Sequence, residues 1–298
     1  MLPQKLRLLN SIIISQTLLF SPTSTFQNNR IFSIPSLNAR NRVISIHGSI
    51  GNVKFAATMS SFASQVNNPL EELGLPSPLL LGSASFTRKL ILKEMGIPFE
   101  LIVRPIDEKA LGDRDGDPSE LVLAIAKAKG DYLVNGIVSE IVDIQLGDKL
   151  LSQILEDQSA RGFLVLTGDQ VVTHAGRILE KPESVDEAKE MVAGYAQSPP
   201  STVGACVITH VPSMLQVQGI DTARINFRPS VASVDLIDRL LAIDAPVLDC
   251  AGGLMVEHPF VKEHLSSIDG TEDSVMGLSK DLVLRLLSEM KMRLSELN

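Results

Sequence analysis

The chain has 298 residues, 44% of them hydrophobic, and a formal net charge of −8 at pH 7. That length suits one large domain or two small ones, with enough apolar content for a sizeable core rather than global disorder. An acidic balance, 4% aromatics and no Trp argue against a general nucleic-acid binder; two cysteines are too few for a disulfide scaffold or zinc ribbon, and no apolar run reaches the ~20 residues that span a bilayer.

All 35 acidic residues lie beyond residue 70, whereas Lys5, Arg7, Arg30, Arg40, Arg42 and Lys54 come before it. Residues 1–58 are Ser-rich, Arg-bearing and acid-free, the composition of an organellar transit peptide, so a plastid or mitochondrial address is expected. Two other readings stay open. The segment "LLNSIIISQTLLF" has the outline of a secretory h-region, broken by Ser, Asn and Gln. The segment would also serve as a disordered tail ahead of a start at Met59, which would leave a cytoplasmic protein. Residues 59–77 are expected as a linker and 78–298 as the folded domain.

"PLLLGSAS" (78–85) reads as a buried strand entering a Gly/Ser turn. "FTRKLILKEMG" (86–96) has helical spacing, with Ser85 as N-cap and Gly96 as stop. "FELIVRPIDE" (99–108) is a second strand ending in acids. In "DGDPSELVLAIAKAKGDYLV" Asp117 caps a helix, Pro118 opens it and Glu120 completes a capping box. Residues 139–160 read as mostly helical and polar-faced. "FLVL" (163–166) is a buried strand running to Asp169, and "VVT", "HAG", "RIL" is a hairpin signal. Ser184 with Glu187 caps the next helix. "TVGACVITHV" and "QGIDTARINFRP" read as strands, "VASVDLIDRLLAI" as a helix and "PVLDCAGGL" as a strand. Ser279 caps a C-terminal helix from Lys280 to about Leu297. Hairpins mixed with crossovers predict an α/β fold with a central mixed sheet flanked by helices.

The familiar catalytic kits are missing: no Walker A loop, no H-E-x-x-H, no G-x-S-x-G and no Cys/His cluster at metal spacing. What remains is a set of polar residues near strand ends. Ser83 and Ser85 stand at a strand-to-helix turn with Arg88 and Lys89 in the first helical turn. Free amides, the helix dipole and two cations would suit phosphate, although a plain cap with solvated Arg and Lys reads the same way. Asp107 and Glu108 follow one strand and Asp169 another. Such carboxylates could meet across a cleft to hold Mg²⁺ with substrate phosphates, or one could activate water; taken singly, loop acids face solvent. Lys129 falls late in its helix, where a cation favours the dipole. Lys181 follows the hairpin and is expected near Asp169. Glu257 and His258 follow a Gly pair, and Cys250 reads as a small core residue.

In this order and spacing, "LLLGSASFTRKLILKEMGIPFELIV", "IDE", "PSELVLAIAKAKG", "TGDQVVTHAGRILEKPESVDEAKEMV", "CAGGLMVEH" and "IDGTEDSVMGL" resemble the Maf-like nucleotide pyrophosphatases from about Leu79 to Leu287. The resemblance implies two lobes around a deep nucleotide-binding cleft and hydrolysis of nucleoside triphosphates between the α and β phosphates with a divalent metal, Mg or Mn. It implies Asp169 as the proton acceptor for water and Glu108 with Asp169 as metal ligands. Ser85, Arg88, Lys129 and Lys181 would hold phosphates, with Thr87 and Lys89 completing the phosphate-binding turn. Thr87 and Lys89 depart from the family pattern, and a Lys cannot clasp phosphate as Arg does. Gln170 and Glu257 match the members that prefer 7-methyl-GTP over dTTP or UTP. A homodimer is implied; no nucleic-acid or membrane partner is. The expected function is therefore a pyrophosphate-releasing nucleotide hydrolase, with a non-catalytic nucleotide-binding regulator, a dTTP/UTP-preferring pyrophosphatase and a terminal phosphatase as rivals.

Overall fold

The computed structural model describes residues 47–50, 53–56, 67–140, 145–151, 153, 161–233 and 235–297. The expected transit peptide lies outside these residues except for a short antiparallel hairpin, β1 (His47–Ile50) with β2 (Val53–Ala56). This hairpin belongs to a separate unit, 1–63; the main body is 64–298.

The body is built on a seven-stranded mixed sheet of order β11-β10-β9-β7-β3-β4, with β8 pairing β7 off that path. Its strands are β3 (Leu79–Leu81), β4 (Phe99–Leu101), β7 (Phe163–His174), β8 (Arg177–Leu179), β9 (Ser201–Val211), β10 (Gln216–Phe227) and β11 (Leu265–Asp269). β3 runs parallel to both β4 and β7, and every other pairing is antiparallel. The helices are α1 (Pro69–Leu73), α2 (Phe86–Glu94), α3 (Pro118–Glu140), α4 (Val185–Tyr195), α5 (Leu236–Leu241), α6 (Pro259–Lys262), α7 (Glu272–Val275) and α8 (Lys280–Glu296). A separate two-stranded ribbon joins β5 (Gln145–Leu146) to β6 (Lys149–Leu150).

Side chains alternate across a strand, so β7 serves two cores. Leu164 and Leu166 join Ile91 and Leu92 of α2 and Leu282, Val283, Leu286, Leu287 and Met290 of α8. That spacing puts one apolar stripe of α8 against the sheet, and Ser279 caps the helix by accepting from Leu282 N at 3.3 Å. On the opposite face, Phe163 and Val165 pack with Leu133, Val134 and Ile137 of α3, and Val171 with Leu121 and Ile125. A further core joins Val172 and Leu179 to Ala188, Met191, Val192 and Tyr195 of α4 and to Leu236, Ile237 and Leu240 of α5.

Several expectations change. Leu70 and Leu75, inside the stretch read as a linker, are buried in the main core. α3 continues through Gly130 to Glu140 and does not end near Val134. Of the expected helix over 139–160, residues 141–144, 152 and 154–160 lie outside the described ones, and 145–150 form a ribbon instead. "PVLDCAGGL" is not a strand but two 3-10 turns, Val247–Asp249 and Ala251–Gly253, because Gly252 and Gly253 take φ of 72° and 73°.

Candidate active site

Asp169 lies in the middle of β7, not at a strand end. Its inner edge is fully laddered: Asp169 pairs with Ala205 of β9. The outer edge is shared. β3 pairs only with Val165 and Leu166, and β8 only with Val172, Thr173 and His174. Between them no described strand covers residues 167–171. The sheet therefore parts at Asp169, and this parting is what the lone acid marks. The hairpin closing β7 to β8 is a two-residue turn through Ala175 and Gly176, with φ of 49° and 77°, as a tight hairpin requires.

α3 crosses the Asp169 face of β7 at close range. Thr167 Oγ1 donates to Ala126 O at 2.8 Å, and a Cβ on Gly130 would stand 3.1 Å from the same hydroxyl. This approach carries Lys129, in mid-helix, over Asp169. The Lys129 ammonium lies 2.8 Å from Asp169 Oδ1 and 3.0 Å from Glu108 Oε2. Asp169 is thus paired with Lys129 rather than with Lys181 as expected: β8 ends at Leu179, before it could deliver Lys181, and Lys181 is exposed. Glu108 comes from a 3-10 turn, Glu108–Ala110, in the long loop after β4. Burial pushes the Asp169 carboxyl above the usual carboxylate range; Lys129 and Arg88 oppose the rise and Glu108 adds to it.

Arg88 is buried, which rules out the solvated first-turn cation. It donates from Nε to Gly277 O at 2.9 Å and from Nη1 to Ser83 Oγ at 3.1 Å. Burial lowers its pKa, with Asp169 the largest opposing influence. Ser85 caps α2 by accepting from Arg88 N at 3.3 Å, and its hydroxyl lies 2.9 Å from Thr87 Oγ1. Lys89 is half-buried and forms no ion pair among the described residues.

Gln170 points to the opposite face from Asp169. Its amide donates to Ser274 O and Val275 O, both at 3.1 Å, at the end of α7. Glu257 is half-buried, and burial pushes its carboxyl up, with Glu272 of α7 adding to the rise. Glu272 itself pairs with Lys262 at 2.7 Å. Gln170 thus contacts the end of α7, and Gln170 and Glu257 form no hydrogen bond to each other among the described residues. Burial also lifts the Cys250 thiol to about 11; Glu257 adds to this and Lys181 opposes it, so both charges act on that thiol.

A cavity of about 820 Å³ is lined by Lys181, Arg114, His174, Arg177 and Arg224 but not by Asp169. Thr173, at its wall, shares a face with Asp169, yet Val171 between them is buried with Leu121 and Ile125.

No three His, Cys, Asp or Glu side chains converge as metal ligands among the described residues. Two carboxylates, Glu108 and Asp169, do converge on one cation, the Lys129 ammonium. Mg²⁺ and Mn²⁺ sites of this kind take one or two carboxylates and complete the shell with substrate phosphates and water, so the donor set fits. Ser274, Val275 and Gly277, which lie inside the quoted "IDGTEDSVMGL" but were given no individual role, and Arg114, a cation within an acid-rich loop, also enter the site's surroundings.

Fold and site together define a mixed α/β protein with an acid–lysine–acid cluster where its sheet parts and a buried arginine beside it. The chain belongs to the Maf-like protein family, whose model matches residues 78–290. It is 32% identical over 212 residues to a 7-methyl-GTP pyrophosphatase of Dictyostelium discoideum, covering 71% of this chain and 96% of that protein. It is 28% identical over 220 residues to a dTTP/UTP pyrophosphatase of Salinibacter ruber, covering 74% and 93%. A nucleoside triphosphate pyrophosphatase of Chlamydia pneumoniae is 26% identical over 225 residues, covering 73% and 96%.

Proposed function

We propose that the chain is a nucleoside triphosphate pyrophosphatase, releasing a monophosphate and pyrophosphate, with 7-methyl-GTP or a similar modified purine nucleotide as its preferred substrate. The observation that carries this reading is the Lys129 ammonium held between Asp169 and Glu108 at 2.8 and 3.0 Å. Asp169 takes a proton from water as the water oxygen bonds to the α-phosphorus. The α–β bridging oxygen leaves with pyrophosphate. A carboxylate raised by burial is better matched to this task than a solvated one. Lys129 can turn from its carboxylates to a phosphate oxygen, and Arg88, Lys181 and the turn at Ser85, Thr87 and Lys89 supply further positive charge and donors. Glu108 and Asp169 would hold a divalent metal, Mg or Mn, which when bound neutralises phosphate charge.

Base choice rests on Gln170 and Glu257. A half-buried carboxylate with a raised pKa gains most from a cationic partner, and N7-methylation makes guanine one. The test is the body from Met59 onward with Mg²⁺ and 7-methyl-GTP, GTP, UTP, dTTP and ITP, following nucleotide products and pyrophosphate together. Monophosphate with pyrophosphate, fastest from 7-methyl-GTP, is the expected result. UTP or dTTP fastest would keep the chemistry and discard the base reading. A diphosphate product would overturn the bond assignment. Binding without turnover would favour a regulator, the reading that Thr87 and Lys89 support by weakening the phosphate clasp. For the leader we propose an organellar address, which a fluorescent fusion of residues 1–58 tests by its location.

A further inference from the structure

Glu108 and Lys181 stand on two different arms of the protein. Glu108 rides the loop between β4 and α3. Lys181 follows β8, on the arm that leads into α4. Arg114 touches both arms. Its Nη2 donates to the backbone carbonyl of Glu108 at 2.7 Å and reaches Glu180 Oε1 at 3.5 Å. Its Nη1 donates to the carbonyl of Leu111. Glu180 is in turn anchored: its carbonyl accepts from Gly252 N at 3.0 Å, and Gly252 O accepts from Tyr195 Oη at 2.7 Å. A continuous chain of contacts therefore runs from Asp169 through Lys129, Glu108, Arg114 and Glu180 to the Gly pair ahead of Glu257.

A second ion pair, Lys109 to Glu183 at 3.0 Å, spans the same two arms, but its side chains are 83% and 80% exposed. Such a pair contributes little. The Arg114 side chain is 27% exposed and satisfies three acceptors at once, a geometry only the planar, multi-donor guanidinium offers.

We propose that Arg114 is a positioning residue that latches the Glu108 loop to the Lys181 arm and so fixes the spacing between them. It does not take part in bond making. Its removal leaves the Glu108 carbonyl and the 108–114 backbone without their brace, and both arms loosen together. The kinetic side of this proposal rests on the pyrophosphatase reading; the structural side does not.

The test compares hydrogen exchange and kinetics of the full chain with those of Arg114→Ala, Arg114→Lys, Glu180→Gln and Lys109→Ala. In Arg114→Ala, exchange is expected to rise several-fold in peptides covering 102–117 and also in those covering 177–184, with Lys109→Ala like the parent. Exchange that rises in the loop alone, or in neither, overturns the latch. If Arg114→Ala does not fold, Glu180→Gln reads the same coupling, again in both peptides. Given parent turnover, Arg114→Ala should lower kcat/KM by about tenfold or more, since small misplacements of binding groups are costly. Arg114→Lys should recover little of it. Unchanged kcat/KM in Arg114→Ala, or full rescue by Lys, overturns the positioning role. A parent without turnover sinks the pyrophosphatase reading and leaves exchange to decide the latch.

Discussion

Replacing Lys129 by Met removes the one ammonium that holds both carboxylates while keeping much of its packing volume. The Asp169 pair carries the cost, because its side chains are only 17% and 12% exposed, whereas Glu108 is 47% exposed. Stranding one member of a buried pair costs about 3–5 kcal/mol. Residual exposure and the nearby Arg88 favour the low end, about 3 kcal/mol, which for a domain of this size is about 6–12 °C in Tm. The loss should depend on pH. Burial already holds the folded Asp169 carboxyl above its unfolded value, and losing Lys129 raises it further. The folded state then binds the proton more tightly, so the cost is small below the unfolded pKa and grows as pH rises through the folded one. Calorimetry at about pH 5 and about pH 8 should find most of the Tm loss only at the higher pH. An equal loss at both values, or none at either, would refute the buried-pair reasoning.

Asp169→Asn should cut turnover by about 10²–10⁴ and, because Lys129 keeps Glu108 while Arg88 loses its main opposing charge, lower Tm at neutral pH by less than Lys129→Met does; steady-state rates and melting curves check both. Gln170→Thr loses the two hydrogen bonds to the end of α7, and the kcat/KM ratio of 7-methyl-GTP to UTP is expected to fall by about tenfold. A preserved ratio would remove Gln170 from base choice. Gly130→Val should force α3 off Thr167 and cost about 1–3 kcal/mol by denaturant unfolding, with lowered turnover because Lys129 moves with the helix.

The hairpin after Asp169 was legible because Ala175 and Gly176 close a turn whose chemistry is local. The caps at Ser85, Ser184 and Ser279 were legible for the same reason. The length of β7 was not. Its apolar run stops at Leu166 and resumes only at Val171, with Thr167 and Asp169 between them buried against α3, so a strand's continuation looks like its end. Gly130 lies inside a helix at a point of close approach to β7, which no periodicity reveals. The partner of Asp169 lies forty residues away on α3, and sequence proximity favoured Lys181 instead. Whether Arg88 would be buried or solvated stayed open in the sequence because nothing local announces Gly277, 189 residues on, as its acceptor.

β7 is one unbroken strand from Phe163 to His174, and β9 and β10 run beside it at comparable length. Leu164 and Leu166 sit in one core and Val172 in another, so the same rod is cemented into both cores. A clamshell motion would have to bend three laddered strands at once. The segments free of that ladder are the 102–117 loop and the arm after β8. The acid at the centre keeps one fixed address throughout the cycle, and variation in those outer segments can retune what is admitted without disturbing it.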